Sequence, residues 1–328
     1  MKTYNSNQDL FKNTCLNLLE NPEYKCSPRG MYIHENIGFS KRISDPRNRI
    51  INNTLRKWDI HYALGEFLWY LYHGSSLKEI EYYAPSYKRF SDDGIFLYGA
   101  YGSRLFDNCV LSNDSHEYHE SNMYKTAIET LKKDPDSRQS IMLIWRQKDA
   151  HVVKTKDLPC TVYLQFFIRN NKLNMITNMR SNDIWLGTPN DIFCFTLLQE
   201  VVANDLSIDI GFYQHNAGSI HIYENSIEKI KSSNTSRSFK ASSMGRFNNS
   251  DLDTLKQYEY LIKTTKETPE PLKFINNNIS SCMLDMMWIL YEKKIYKTSN
   301  DLERCEKIID NIKNQDIAIN ILIKRGLK

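Results

Sequence analysis

The densest concentration of reactive side chains in this chain of 328 residues lies between Arg180 and Asp191. That stretch holds a fixed cation (Arg180), a hydroxyl (Ser181), two carboxylates (Asp183 and Asp191), and Gly187 and Pro189, which shape the backbone between them. Arginine suits phosphate because its planar fork donates two parallel charged hydrogen bonds. Upstream, Leu158-Pro159-Cys160 opens a strand-like run, and Arg138 follows Asp134-Pro135-Asp136-Ser137. Downstream, His221-Ile222-Tyr223 alternates, so that both polar rings share one face of a strand. Each residue also has an ordinary reading: a free cysteine is usually a small buried hydrophobe, and an aspartate at Asp191 can be a helix N-cap.

These residues need elements to position them. Residues 58–72 are apolar almost all round, as in a buried helix, with Glu66 in the middle. A carboxylate there is costly unless it is paired or protonated, so Glu66 is either a satisfied ion pair or an acid with a shifted pKa. Strand-like runs between Leu158 and Thr177 meet at Arg169-Asn170-Asn171, a plausible hairpin turn. A long buried helix is expected after Pro189, strands return at 211–223, and 232–250 reads as a loop. From Ile279 the chain reads as helical. We expect an α+β fold with residues 1–278 as the catalytic domain and 279–328 as a helical C-terminal extension.

Charged residues at 25% and hydrophobic residues at 41% are ordinary for a globular protein. A net charge of +4 is too mild to argue for nucleic acid as a partner. No apolar run suits a membrane span and no signal-peptide pattern opens the chain, so a cytoplasmic location is the expectation. Seven scattered cysteines offer neither zinc-ligand spacing nor a disulfide framework, and no metal is expected.

Taken in order, the motifs resemble the thymidylate synthase family. Leu158-Pro159-Cys160 is similar to its nucleophile motif, and Arg180-Ser181 with Asp183, Gly187 and Pro189 to its phosphate motif. His221 and Tyr223 match its ribose motif. The segment ending at Arg138 is similar to the one that lends an arginine across the family's dimer interface. Gly65-Glu66-Phe67-Leu68-Trp69 matches the helix of its catalytic glutamate, Tyr98-Gly99-Ala100-Tyr101-Gly102 its active-site tyrosine turn, and Ser27-Pro28-Arg29-Gly30 its flexible phosphate loop. The resemblance implies a mixed β-sheet packed with helices and a homodimer with shared active sites. It also implies a pyrimidine nucleoside monophosphate as substrate and 5,10-methylenetetrahydrofolate as co-substrate. In that scheme Cys160, Glu66, Asp191 and Tyr101 are catalytic. Arg29, Arg138, Arg180, Ser181, Asp191, His221 and Tyr223 bind the nucleotide, and Asp183 and Gly187 face the folate. Cys160 adds to the ring as thiolate, favoured by nearby arginines, and the neighbouring carbon then captures the one-carbon unit.

Departures from the family pattern point to a substrate. Thymidylate synthases carry asparagine at the position of Asp191; a carboxylate there suits the amino group and N3 of cytosine, as in deoxycytidylate hydroxymethylases. Thr161 stands for a histidine, Gln139 for a second arginine and Met179 for a glutamine. The folate-side segment is not recognisable in residues 80–95, and the short apolar C-terminal tail is missing. A less sealed site favours water capture over hydride transfer. The leading expectation is therefore 5-hydroxymethylation of a cytidine monophosphate, with Ser181 favouring dCMP over CMP. The alternatives are methylation of dUMP or dCMP, and a non-catalytic nucleotide-binding protein on this scaffold.

Overall fold

Asn170 and Asn171 both adopt left-handed backbone angles, φ +52° and +54°, which asparagine tolerates better than most residues and which a tight hairpin with twisted arms requires. They join β7 (Thr161–Arg169) to β8 (Lys172–Asp183) in the computed structural model, where the sequence places the turn. The model describes residues 1–107, 109–112, 118–151, 154–235, 242–275 and 279–327.

The hairpin forms part of a seven-stranded mixed sheet. Its other strands are β1 (Thr3–Tyr4), β2 (Tyr24–Cys26), β3 (Ile33–Ile43), β6 (Ile141–Leu143) and β9 (Asp209–Tyr223). The order is β1-β3-β9-β8-β7-β6, with β2 also on β3. The long strands β8 and β9 run parallel from Lys172 opposite Asp209 to Asp183 opposite His221, with a one-residue register shift between Leu173 and Met175. Their pairing carries the phosphate-like and ribose-like motifs to the same end of the sheet. A separate pair, β4 (Cys109–Ser112) and β5 (Tyr118–Ser121), lies off this sheet.

Helices cover the sheet. The first are α1 (Asn7–Glu20), α2 (Ile60–Tyr72), α3 (Leu77–Glu81), α4 (Tyr101–Leu105), α5 (Met123–Lys133) and α6 (Thr188–Asp205). They are followed by α7 (Glu224–Thr235), α8 (Asn249–Thr264), α9 (Pro271–Phe274), α10 (Ser281–Ser299), α11 (Leu302–Ile309) and α12 (Gln315–Arg325). Helix α6 is buried on nearly every side, its Gln199 and Glu200 included, because β8, β9, α1, α2 and α8 surround it. The expected loop at 232–250 is shorter than the sequence suggests. Helix α7 continues to Thr235, α8 begins at Asn249, and 236–241 lie outside the described residues. The expected boundary at 278 likewise falls on residues 276–278, outside the description. No described helix is long and apolar enough to cross a membrane.

The C-terminal helices share the core of the sheet and its helices rather than hanging from it. Helix α10 packs on α8 and α2, and α12 on α2 and α11. Buried charge fastens this contact. Glu292 of α10, fully buried, accepts from His61 Nε2 of α2 at 2.5 Å and from both Nε and Nη2 of Arg325 of α12 at 2.8 Å. The contacts with His61 and Arg325 hold its carboxyl down to about 2 against the opposing effect of burial.

Candidate active site

Where β7, β8, β9, α2 and α6 meet, a cavity of about 550 Å³ opens, within the range of small-molecule sites. Eleven of the twelve residues singled out above line it: Arg29, Glu66, Tyr101, Cys160, Arg180, Ser181, Asp183, Gly187, Asp191, His221 and Tyr223. Arg138 does not. It lies exposed in a bend before β6, where its carbonyl accepts from Gln165 Nε2 at 2.8 Å.

Cys160 ends the loop before β7, and Arg180 holds that loop. Arg180 Nε donates to the Pro159 carbonyl at 3.0 Å, and its Nη2 donates to the Leu158 carbonyl at 3.3 Å and lies 3.8 Å from Cys160 Sγ. Its Nη1 has no hydrogen-bond partner among the described residues. Burial raises the Cys160 thiol, and Asp191 and Asp157 push the same way; Arg180 and Arg29 pull it down but do not win. The arginines thus act in the expected direction, yet the sulfur without substrate holds its proton. The departure at Thr161 has a local purpose, since its backbone N and Oγ1 both donate to Tyr101 Oη, at 3.2 and 3.0 Å. Tyr101 stacks on Phe195 of α6 and tilts against Tyr70 of α2, which fixes its ring.

Glu66 resolves into the second of its two readings. No cation faces it among the described residues. Its Oε1 accepts instead from Tyr62 Oη at 3.0 Å and Tyr87 Oη at 2.7 Å, and the two phenols are 2.6 Å apart. Burial raises its pKa despite these donors. Tyr62 precedes Glu66 by one helical turn, a spacing visible in the sequence. Tyr87 comes from the segment 80–95 that matched nothing; it lies in a tight 3₁₀ turn, Pro85–Phe90, on the cavity wall with Arg89 and Phe90.

Asp191 is not a cap. The N-cap of α6 is Gly187, and Asp191 sits in the first turn with no side-chain capping bond made there. Its Oδ2 accepts from Asn182 Nδ2 at 2.8 Å. Burial, with the charges of Glu66 and Asp183 adding, raises its carboxyl to about 8, so it is largely protonated at neutral pH. Asn182 was passed over as the variable position of the arginine motif. Behind it lie His215 and Tyr213, which continue along β9 the same alternation that flagged His221 and Tyr223.

His221 is buried and uncharged, its Nδ1 3.4 Å from Ser219 Oγ and its ring edge-on to Tyr223. Asp183 Oδ1 accepts from the backbone N–H groups of Trp185 and Leu186 at 2.8 and 3.1 Å. Its Oδ2 is buried with no partner among the described residues, and burial raises this carboxyl to about 6. Trp58, Trp69, Tyr87 and Phe90 also line the cavity, as do Arg56, Lys57, Arg89 and Lys324. An unsatisfied acceptor, aromatic walls and cations suit a flat heteroaromatic ring with N–H donors and an anionic tail, as a folate has. Lys324 belongs to α12, so the C-terminal helices contribute a residue to the cavity lining.

The family model described as thymidylate synthase matches residues 9–271. A deoxyuridylate hydroxymethyltransferase of Bacillus phage SP01 is 32% identical over 200 residues, 60% of this chain and 52% of that protein. Another of the same name, from Delftia phage PhiW-14, is 30% identical over 215 residues, 62% of this chain and 56% of its own length. A thymidylate synthase of Mycoplasma mobile is 37% identical over 105 residues, 32% of this chain and 36% of that one. The chain thus spans about half the length, or less, of these relatives. Among solved structures, thermostable thymidylate synthase A from Bacillus subtilis superposes with a TM-score of 0.58 at 21% identity, covering 71% of this chain and 86% of that one; at this identity the likeness speaks for the fold. Since the family model spans most of the chain and takes in the cavity except for Lys324, this protein belongs to the thymidylate synthase family.

Proposed function

We propose that the chain is a folate-dependent transferase that adds a hydroxymethyl group to carbon 5 of a cytidine monophosphate, dCMP in preference to CMP. The observation that carries this reading is the grouping of a thiol, Cys160, with two carboxyls that burial pushes up, Glu66 and Asp191, around one cavity. The folate supplies a one-carbon unit at the oxidation level of formaldehyde, with Asp183 and the aromatic walls as its contacts. All else falls to side chains. Arg180, Arg29 and, from a partner subunit, Arg138 take the phosphate, and His221 and Tyr223 the sugar. Cys160 gives up its proton and adds to ring carbon 6, which makes carbon 5 nucleophilic; carbon 5 takes the one-carbon unit and loses its proton, and water adds to the resulting exocyclic methylene as the bond from carbon 6 to sulfur breaks. Asp191 holds a proton against N3 and accepts from the amino group, which offsets the charge that develops as sulfur adds. Glu66, with the hydroxyls of Tyr62 and Tyr87 on its Oε1, holds and moves protons at the site where water enters. The enzyme works as a symmetric dimer in the cytoplasm.

A second reading is favoured by the names of the two phage relatives. A protonated carboxyl can also pair with uracil, accepting from its N3–H and donating to O4, so dUMP is the substrate to set against dCMP. Incubation with 5,10-methylenetetrahydrofolate and each of dCMP, CMP and dUMP, with mass spectrometry of the products, separates these readings. A hydroxymethyl product chiefly from dCMP supports the first. Turnover of dUMP alone, or a methyl product, overturns it.

A further inference from the structure

A chain of hydrogen bonds runs from inside the sheet to Asp191. Tyr213 Oη lies 2.8 Å from His215 Nδ1, His215 Nε2 lies 2.9 Å from Asn182 Oδ1, and Asn182 Nδ2 lies 2.8 Å from Asp191 Oδ2. Asn182 Oδ1 also accepts from Thr188 Oγ1 at 2.5 Å. Tyr213, His215 and Thr188 are fully buried, and Asn182 nearly so. Burial holds His215 near a pKa of 3, so its ring is neutral and carries one proton. One nitrogen therefore donates and the other accepts. The direction that satisfies every member starts at the Tyr213 hydroxyl and ends on Asp191 Oδ2 as an acceptor. The backbone leaves room for this last contact. A methyl group on Gly187 would stand 3.0 Å from Asn182 Nδ2 and 3.3 Å from Asp191 Oδ2.

We propose that Asn182, oriented by Tyr213, His215 and Thr188, is the positioning residue that makes Asp191 a directional reader of the base. Because Oδ2 receives the amide N–H, it is the acceptor oxygen, and the acid proton resides on Oδ1. A carboxylic acid free to place its proton on either oxygen could pair with cytosine in one form and with uracil in the other. An acid whose proton is confined to Oδ1 pairs well with only one of them. This inference rests on the reading that Asp191 faces the base, and it adds which residue decides the choice.

The test compares kcat/KM for dCMP and dUMP in the full-length enzyme and in Asn182→Ala, Asn182→Asp and Asp191→Asn. Asn182→Asp is nearly isosteric and still accepts from His215 and Thr188, so it carries the test if the alanine variant does not fold. Losing the single hydrogen bond should shrink the preference between the two substrates about tenfold, in either Asn182 variant. A merely structural role would lower both substrates together. A second readout is the alkaline limb of the pH profile, where Asp191 loses its proton. The groups facing Asp191 are Glu66 and Tyr70 from α2, Tyr101 from α4, Cys160 before β7, Asp183 on β8, and Tyr213 and Cys194. The Asn182 N–H favours the ionised form, so its loss in Asn182→Ala should move that limb to higher pH. An unchanged preference in both Asn182 variants, beside a changed one in Asp191→Asn, overturns the inference and leaves the base reading standing. An unchanged preference in Asp191→Asn removes both.

Discussion

Arg180 Nη2 stands 3.8 Å from Cys160 Sγ while the same side chain grips the carbonyls of the two residues before it. One arginine thus sets both the position and the electrostatics of the sulfur. Burial nevertheless pushes the thiol up against the pull of the arginines.

This bears on the nucleophile itself. Cys160→Ser should abolish turnover yet leave nucleotide affinity within about tenfold, because the arginines rather than the sulfur supply binding. Release of tritium from carbon 5 of the labelled nucleotide is the check. Appreciable release by the serine variant would mean that another group attacks the ring.

Asp191 should leave a mark on stability as well as on specificity. Unfolded, it loses its proton near pH 3.8, whereas in the fold it keeps it to about 8. Over that window the folded state binds more protons, so its contribution to stability falls as pH rises. Asp191→Asn should therefore melt higher than the parent at pH 8, with the gain fading toward pH 4. The same variant should lose about one to two powers of ten in kcat/KM on dCMP relative to dUMP, since a misplaced amide donor meets the amino group of cytosine. A flat melting difference across pH would show that the carboxyl is not protonated in the fold.

Glu292 links three helices through His61 and Arg325. Removing one partner from a buried pair of this kind costs roughly 3–5 kcal/mol. Arg325→Ala should lower the melting temperature markedly. Because α12 also carries Lys324 at the cavity, it should raise KM for the folate more than KM for the nucleotide. Equal rises in both, or none, would separate the C-terminal helices from the folate side.

Arg138 lies outside the cavity of its own chain, as a residue that serves a partner subunit must. Mixing Arg138→Ala with Cys160→Ser should restore part of the activity, because one hybrid site receives an intact copy of each residue. If confirmed subunit exchange restores none, the shared site is excluded.

Local patterns made much of this legible. The left-handed pair Asn170–Asn171, the nearly all-round apolar character of α2 and the alternation of His221 and Tyr223 are properties of short segments. So was the order of the motifs that brought the thymidylate synthase fold into view. Contacts made by tertiary structure were not legible. Tyr87 meets Glu66 through a 3₁₀ turn with no periodic signal, and Lys324 reaches the cavity from a helix far along the chain. Asn182 looked like filler because its importance lies in His215 behind it and Asp191 ahead of it. The electrostatic balance at Cys160 was likewise hidden, since the sequence displays the arginines but not the depth of burial that outweighs them.

The most direct test of the central claim is the product formed from dCMP and 5,10-methylenetetrahydrofolate in water enriched in heavy oxygen, read by mass spectrometry. The account predicts a hydroxymethyl nucleotide that carries the heavy isotope, formed by the parent enzyme and lost in Cys160→Ser. A methylated product without the label, or turnover confined to dUMP, would contradict it.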